Sequence, residues 1–286
     1  MRLLAYDKNG KPTIGLRRGE ELVDISEAAP DLPSDMGALL AAPVEDRLQD
    51  ILDNPPPHSV HSLSGIKYFP PVWNPGKIIC VGLNYEDHAA ETKLEKPEYP
   101  ILFPRFKSTL VAHEQPLIAP KASSEFDYEA ELVAVIGKNG RNIERAKAID
   151  MVSAYSIFNE GSVRDFQFKS PTWTSGKNFD ASGGFGPELV TIDELPPGAQ
   201  GLGIQTYLNN ELLQDGNTAD MMFDLSELIH EITKVMTLEA GDLIVSGTPP
   251  GVGFVRKPPI FMTPGDICEI SIEGIGTLRN PISAEV

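Results

Sequence analysis

Phe126-Asp127-Tyr128-Glu129-Ala130-Glu131-Leu132, running on into Val133-Ala134-Val135-Ile136 and closed by Gly137, is the stretch on which the fold turns. Its apolar, β-branched content and the terminal glycine read as one strand. Side chains alternate faces along a strand, so Asp127, Glu129 and Glu131 fall on the same side. The apolar run from Leu132 to Ile136 is unbroken, the pattern of a strand covered on both faces. Buried like charges repel and are costly to desolvate unless a cation or donors compensate them. The stretch is therefore either a strand that holds a metal ion or an exposed acidic face in an acidic protein.

Around this strand the chain has ordinary globular usage, with 41% hydrophobic and 23% charged residues. Its 286 residues suffice for one large domain or two unequal ones, and 25 Gly with 25 Pro favour a turn-rich, β-rich architecture. A formal charge of −17 argues against nucleic acid or an anionic membrane as partner, although a local cluster of Arg and Lys can still hold an acidic small molecule. Cys80 and Cys268, the two cysteines, lie in apolar runs and read as core residues in a reducing compartment, with no disulfide. The first residues, Met1 to Asp7, lack a signal-peptide core, and no uncharged apolar stretch approaches ~18 residues, so a cytoplasmic location is expected.

Toward the N-terminus, Asn9-Gly10 between two apolar runs predicts a β-hairpin, followed by a strand from Glu21 and two short helices over 36–42 and 44–52. Prolines at 55–57 and the passage Phe69-Pro70-Pro71-Val72-Trp73-Asn74-Pro75-Gly76 end this region. The expected division is a small N-terminal domain, 1–72, and a larger one, 73–286. A strand over 77–82 then feeds a helix on which His88 and Glu91 sit three apart, within hydrogen-bonding reach. A His so oriented is a candidate general base, and a solvated surface His is the alternative. Arg105 and Lys107 follow an apolar run, where cations could recognise a carboxylate.

Beyond the acidic strand, Tyr155 to Phe158 reads as a short strand ending at Glu160, a place where catalytic groups are displayed. Residues 173–180, with Lys177, read as a flexible loop. Asn209-Asn210 predicts another hairpin, and Asp224 caps a helix whose apolar stripe runs from Leu225 to Met236, making His230 structural. The C-terminal strands read as a β-meander containing Gly247-Thr248-Pro249-Pro250-Gly251-Val252-Gly253. Its glycines allow close backbone approach to a ligand, with a hydroxyl at Thr248.

Taken together, Gly82-Leu83-Asn84-Tyr85 with His88 and Glu91, Phe103 to Phe106, Asp127 to Leu132, Asn159-Glu160 with Arg164 to Gln167, Gly176-Lys177, Gly241-Asp242, Gly247 to Gly253 and Pro264-Gly265-Asp266 resemble the fumarylacetoacetate hydrolase superfamily in order. The resemblance covers roughly residues 76–286 and implies a mainly β fold with some α. It implies a mixed β-sandwich roll as the catalytic domain, a small N-terminal α+β domain, and a homodimer. It further implies a hard divalent ion, Mg²⁺ with Mn²⁺ or Ca²⁺ as alternatives, on Glu129, Glu131 and Glu160. Relatives usually carry Asp at the third position, so Glu160 is a departure; Asp127 becomes a supporting acid.

Carried over residue by residue, His88 and Glu91 activate water, Lys177 stabilises developing negative charge, and Arg105, Arg164, Gln167 and Thr248 orient a small keto-acid substrate. The implied reaction is C–C bond hydrolysis of an acylpyruvate-type acid through a metal-stabilised enolate. The same scaffold also supports a decarboxylase, isomerase or hydratase acting on an oxaloacetate-like or 2-hydroxy-dienoate acid. A non-catalytic, metal-dependent binder of an acidic metabolite is the third possibility.

Overall fold

The structure is a computed structural model and describes residues 1–87, 91 and 97–286. Among the described residues, two large sheets and helix Leu225–Val235 hold most of the core, with a two-stranded ladder beside them. The larger sheet runs Val60–Ser62, Glu21–Asp24, Lys11–Arg18, Arg2–Lys8, Gly183–Thr191, Val152–Glu160, Ala130–Ile136, Leu243–Val245, Ile78–Gly82, Ile101–Arg105. The second sheet has five strands, with Gly203–Leu208, Ile267–Ile272 and Gly276–Ala284 at its centre. Pairing is mostly antiparallel, with Leu243–Val245 parallel to Ile78–Gly82, so the large sheet is mixed. This is the mainly β architecture with some α that the sequence predicts.

Strand Ala130–Ile136 lies deep in the large sheet and is buried at every residue. Its even-numbered side chains, Leu132, Ala134 and Ile136, pack with Ile204, Ile270 and Ile272 of the second sheet and with Leu228, Ile229 and Ile232 of helix Leu225–Val235. Its odd-numbered side chains, Val133 and Val135, pack on the opposite face with Leu3, Ile14, Val23, Met36 and Leu39. An unbroken apolar run is thus demanded by two cores, each fully buried Val or Leu contributing ~1.5–3 kcal/mol.

Three expectations need correction. Residues 126–136 are not one strand: Phe126–Asp127 pairs with Ser162–Val163, and only Ala130–Ile136 joins the large sheet. The break has a cause in Asp127, whose carboxylate accepts backbone N–H groups of Tyr128, Gly253 and Phe254 and the Arg164 guanidinium, pulling the chain out of register. The Lys177 segment is a short helix, Thr174–Lys177, and Lys177 itself is buried. The C-terminal strands do not form a single meander, because Leu243–Val245 belongs to the large sheet and Ile267–Ile272 with Gly276–Ala284 to the second. The N-terminal strands are continuous with the large sheet: Arg2–Lys8 pairs with Gly183–Thr191, and Leu3 and Ile14 share a core with Val133 and Val245.

The hairpin turns stand as read, with Asn9, Asn209 and Asn210 at positive φ of 58°, 51° and 68°. Asp224 caps helix Leu225–Val235 by accepting the Glu227 N–H at 2.8 Å. His230 is held by Ile143 O at 2.6 Å, as suits a structural histidine. Cys80 and Cys268 are buried and unbridged. Among the described residues no helix is long and apolar enough to cross a membrane.

Candidate metal centre and cleft

Strand pairing brings the carboxylates together. Ala130 is registered against Asn159 and Glu131 against Phe158, and the Glu160 N–H donates to Glu129 O at 2.9 Å. Glu129 and Glu131 project on one side, and Glu160, at the end of the neighbouring strand, joins them. One oxygen from each lies within 4.8 Å of the others, and the residues are 3%, 1% and 1% exposed. The extra methylene of Glu160 is therefore accommodated without taking its carboxylate out of the group.

Each carboxylate has its own support. Gly247 donates its N–H to Glu131 Oε2 at 2.6 Å from a backbone at φ +97°, where a Cβ would meet the Asn84 Cβ at 2.7 Å. Only glycine permits that approach. Lys177 Nζ lies 2.7 Å from Glu129 Oε2 and 3.0 Å from Glu160 Oε2. The helical turn bearing it packs closely because residue 176 is glycine: a Cβ there would lie 2.3 Å from Gln167 N. Arg164 pairs with Asp127 at 2.8 Å and Glu129 Oε1 at 2.7 Å, and donates to Gln167 Oε1 at 2.8 Å.

Burial and charge act in opposition here. Desolvation, with the charges of Glu160 and Glu129 added, pushes the Glu131 carboxyl well above its ordinary pKa. Desolvation opposes the charge on Lys177, yet Glu129 and Glu160 outweigh it and hold the ammonium above the usual lysine value. Burial likewise opposes Arg164, and Asp127 and Glu129 outweigh it. Four buried carboxylates, Asp127, Glu129, Glu131 and Glu160, face three buried cations, Arg105, Arg164 and Lys177.

With all four ionised, as a bound cation would hold them, one negative charge is in excess, and Glu160 Oε1 is buried with no hydrogen-bond partner among the described residues. An all-oxygen donor set with an orphaned carboxylate oxygen and surplus negative charge fits a hard divalent cation. Its arrival would turn the local balance from one negative to one positive, the sign that holds an anionic ligand.

Beside the carboxylates opens a small, partly open cleft. Lys177, Arg164, Gln167 and Thr248 line it with the three glutamates. Its walls are aromatic: Phe103 meets Trp173 edge-on at 5.7 Å, and Phe168 meets Phe254 at 5.8 Å. The sequence did not single out these walls.

The remaining expected residues fall differently. Arg105 does not line the cleft; Thr109 Oγ1, Gly161 O and Ser182 Oγ hold its guanidinium at 3.3, 3.2 and 2.7 Å. Its charge lies 3.9 Å from Glu160 Oε1, so it supports that carboxylate from behind instead of meeting substrate. Glu91 accepts the Gly251 N–H at 2.9 Å, a contact with the Gly-Pro turn. His88 lies outside the described residues.

Residues 77–283 match the family model described as Fumarylacetoacetate (FAA) hydrolase C-terminal. The chain is 38% identical over 99% of its length to a mitochondrial oxaloacetate tautomerase of Xenopus laevis, 90% of which is covered. Among solved structures, a 2-hydroxyhepta-2,4-diene-1,7-dioate isomerase from Mycobacterium marinum superposes with a TM-score of 0.79 at 28% identity, covering 100% of this chain and 99% of that one. A maleylpyruvate hydrolase from Sphingobium sp. SYK-6, solved with manganese(II) and pyruvate, gives 0.81 at 27% identity with 100% of both chains covered. The chain belongs to the fumarylacetoacetate hydrolase family, a family of enzymes.

Proposed function

We propose that the chain interconverts the keto and enol forms of a small 2-oxo dicarboxylic acid of the oxaloacetate class. One observation carries this reading: a buried glutamate triad suited to a divalent ion is flanked by Lys177 and Arg164 at the foot of a small, aromatic-walled cleft. The 38% identity to an oxaloacetate tautomerase over nearly the whole chain supports the choice of substrate class. An ion held by Glu129, Glu131 and Glu160 would supply Lewis-acid polarisation of the ketone.

The chain's own groups do the rest. Tautomerisation moves a proton from the carbon beside the ketone to a base and places a proton on the ketone oxygen. Lys177, held protonated by its two glutamate neighbours, is a hydrogen-bond donor toward oxygen as negative charge develops there. Arg164 fixes Glu129 and, through the Gln167 carboxamide oxygen, turns that side chain so that its amide N–H serves a substrate carboxylate. Phe103, Trp173, Phe168 and Phe254 limit water around the carbon that loses its proton. The base is assigned, from the sequence, to His88 oriented by Glu91. Mg²⁺ as resident ion and a homodimer as the assembly belong to the same proposal, to be checked by metal analysis and light scattering.

Hydrolysis of a C–C bond in an acylpyruvate is the second reading, favoured by the full-length likeness to the maleylpyruvate hydrolase. The test incubates the protein and Mg²⁺ or Mn²⁺ with oxaloacetate or an acylpyruvate, following tautomers by ultraviolet absorbance and products by NMR. Accelerated keto–enol exchange without carbon loss supports the proposal. Pyruvate and a carboxylic acid released from the acylpyruvate support the second reading. Turnover of neither acid would overturn both and leave a binding protein. His88→Ala should slow the reaction ~10²–10⁴-fold if His88 is the base.

A further inference from the structure

Thr248 lines the cleft beside the glutamates, and behind it lies Gln214, 1% exposed. Gln214 makes four hydrogen bonds, and two of them settle its orientation. Its Oε1 accepts the Ala130 backbone N–H at 2.9 Å, and its Nε2 donates to the Pro249 carbonyl at 2.8 Å. An N–H can only donate and a carbonyl can only accept, so the amide cannot be flipped. The other two bonds follow from that: Thr206 Oγ1 donates to Oε1 at 2.7 Å, and Nε2 donates its second proton to Thr248 Oγ1 at 2.8 Å.

The consequence falls on the Thr248 hydroxyl. It accepts from Gln214, and among the described residues it donates to nothing, so its own proton is directed to the remaining neighbour, the contents of the cleft. We propose that Gln214 is a positioning residue that sets the polarity of the Thr248 hydroxyl, making it a donor to a carboxylate or enolate oxygen of the bound acid. The ligand class rests on the proposed function; the polarity rests on the four hydrogen bonds alone. Gln214 sits on strand Glu211–Asn217 of the second sheet, whereas Ala130 belongs to the first, so it also ties the strand of the metal centre to the Gly-Pro turn.

Binding of oxalate in saturating Mg²⁺, measured by calorimetry, tests the assignment without requiring turnover. Once ionised, at a pH raised to overcome its burial beside the Pro249 carbonyl, Gln214→Glu presents two acceptors and so draws the Thr248 proton away from the cleft. Oxalate affinity should fall about tenfold, equivalent to ~1.4 kcal/mol, and recover as pH is lowered and the new carboxyl gains a proton it can donate. Thr248→Val should cost a similar factor, and Gln214→Glu should cost nothing further in that background; Thr248→Ser should bind like the parent. Gln214→Met, which removes the donor without inverting it, should cost about threefold, again only where Thr248 is present, and serves if the Glu variant does not fold.

Equal losses from either Gln214 change with and without Thr248, or a loss insensitive to pH, would overturn the polarity assignment. Failure of the parent protein to bind oxalate would overturn the ligand assignment and the proposed function with it. Turnover on oxaloacetate with an unaltered KM in Gln214→Glu would overturn the positioning role while leaving that function standing.

Discussion

Replacing Arg164 by Met removes the guanidinium that answers two buried carboxylates, Asp127 at 2.8 Å and Glu129 at 2.7 Å, while keeping much of the side-chain volume. Arg164 is 3% exposed, so solvent cannot take its place. Removing one partner of a buried ion pair costs ~3–5 kcal/mol because the other charge is left uncompensated. Asp127 retains backbone N–H donors from Tyr128, Gly253 and Phe254, at 2.9, 2.8 and 3.0 Å, which places the expected loss in the lower half of that range. Out of a total stability of ~5–15 kcal/mol this is a large fraction and corresponds to a fall in Tm of roughly 6–15 °C.

Urea denaturation of the metal-free protein gives the loss directly. Adding Asp127→Asn to the Met variant should recover ~1–2 kcal/mol, since the two residues share one network and their effects do not add. The variant leaves four carboxylates against Arg105 and Lys177, so Mg²⁺ should stabilise it more than it stabilises the parent protein. A loss below ~1 kcal/mol, or strict additivity with Asp127→Asn, would refute the reasoning that Arg164 compensates this cluster.

Further outcomes follow from other parts of the molecule. At Gly82 an added Cβ would lie 2.2 Å from Trp173 Cζ3, so Gly82→Ala should displace the half-buried indole and alter both tryptophan fluorescence and ligand affinity; unchanged fluorescence would contradict the cleft wall described. Burial alone would raise the Asp24 carboxyl, but hydrogen bonds from Lys8, Ser26 and Tyr6 outweigh it and hold its pKa below the usual aspartate value. Its stabilising contribution is therefore complete above the unfolded value of ~3.9 and lost as pH falls through the lower folded value, so Asp24→Asn should lower stability at pH 7 and flatten its acid dependence in urea melts. Burial pushes the Cys268 thiol up to about 12 and Cys80 also upward, so a thiol reagent should label neither cysteine in the native protein and both after unfolding.

The glutamate cluster was legible because its chemistry is local: Glu129 and Glu131 sit two apart, at and just inside the start of strand Ala130–Ile136, and the apolar run after them announces burial on both faces. Glu160 and Lys177 could be placed by their motifs, although the burial of Lys177 could not, since a Gly-flanked lysine reads as surface until Gly176 is seen pressed on Gln167. Other features needed the fold. The break at Tyr128-Glu129 depends on Asp127 meeting Arg164, 37 residues away. Arg105 turns away from the cleft because Ser182 and Gly161 offer acceptors there, from parts of the chain with no local link to it. Gln214 carries no motif and reaches Ala130 across 84 residues, so only tertiary structure reveals it. The continuity of the N-terminal strands with the large sheet is equally a matter of pairing between distant segments, Arg2 with Val190 and Leu3 with Leu189.

The central claim, that a divalent ion on Glu129, Glu131 and Glu160 enables enolisation of an oxaloacetate-class acid, is tested most directly by titrating Mg²⁺ into metal-stripped protein. The quantity to follow is the initial rate of enol-to-keto conversion of oxaloacetate, with Glu160→Ala run in parallel. The account predicts a saturable, metal-dependent rate in the parent protein, and a loss of ~10²-fold or more when the ligand is removed. A rate that is the same with and without metal, or that survives Glu160→Ala at equal metal occupancy, would contradict it.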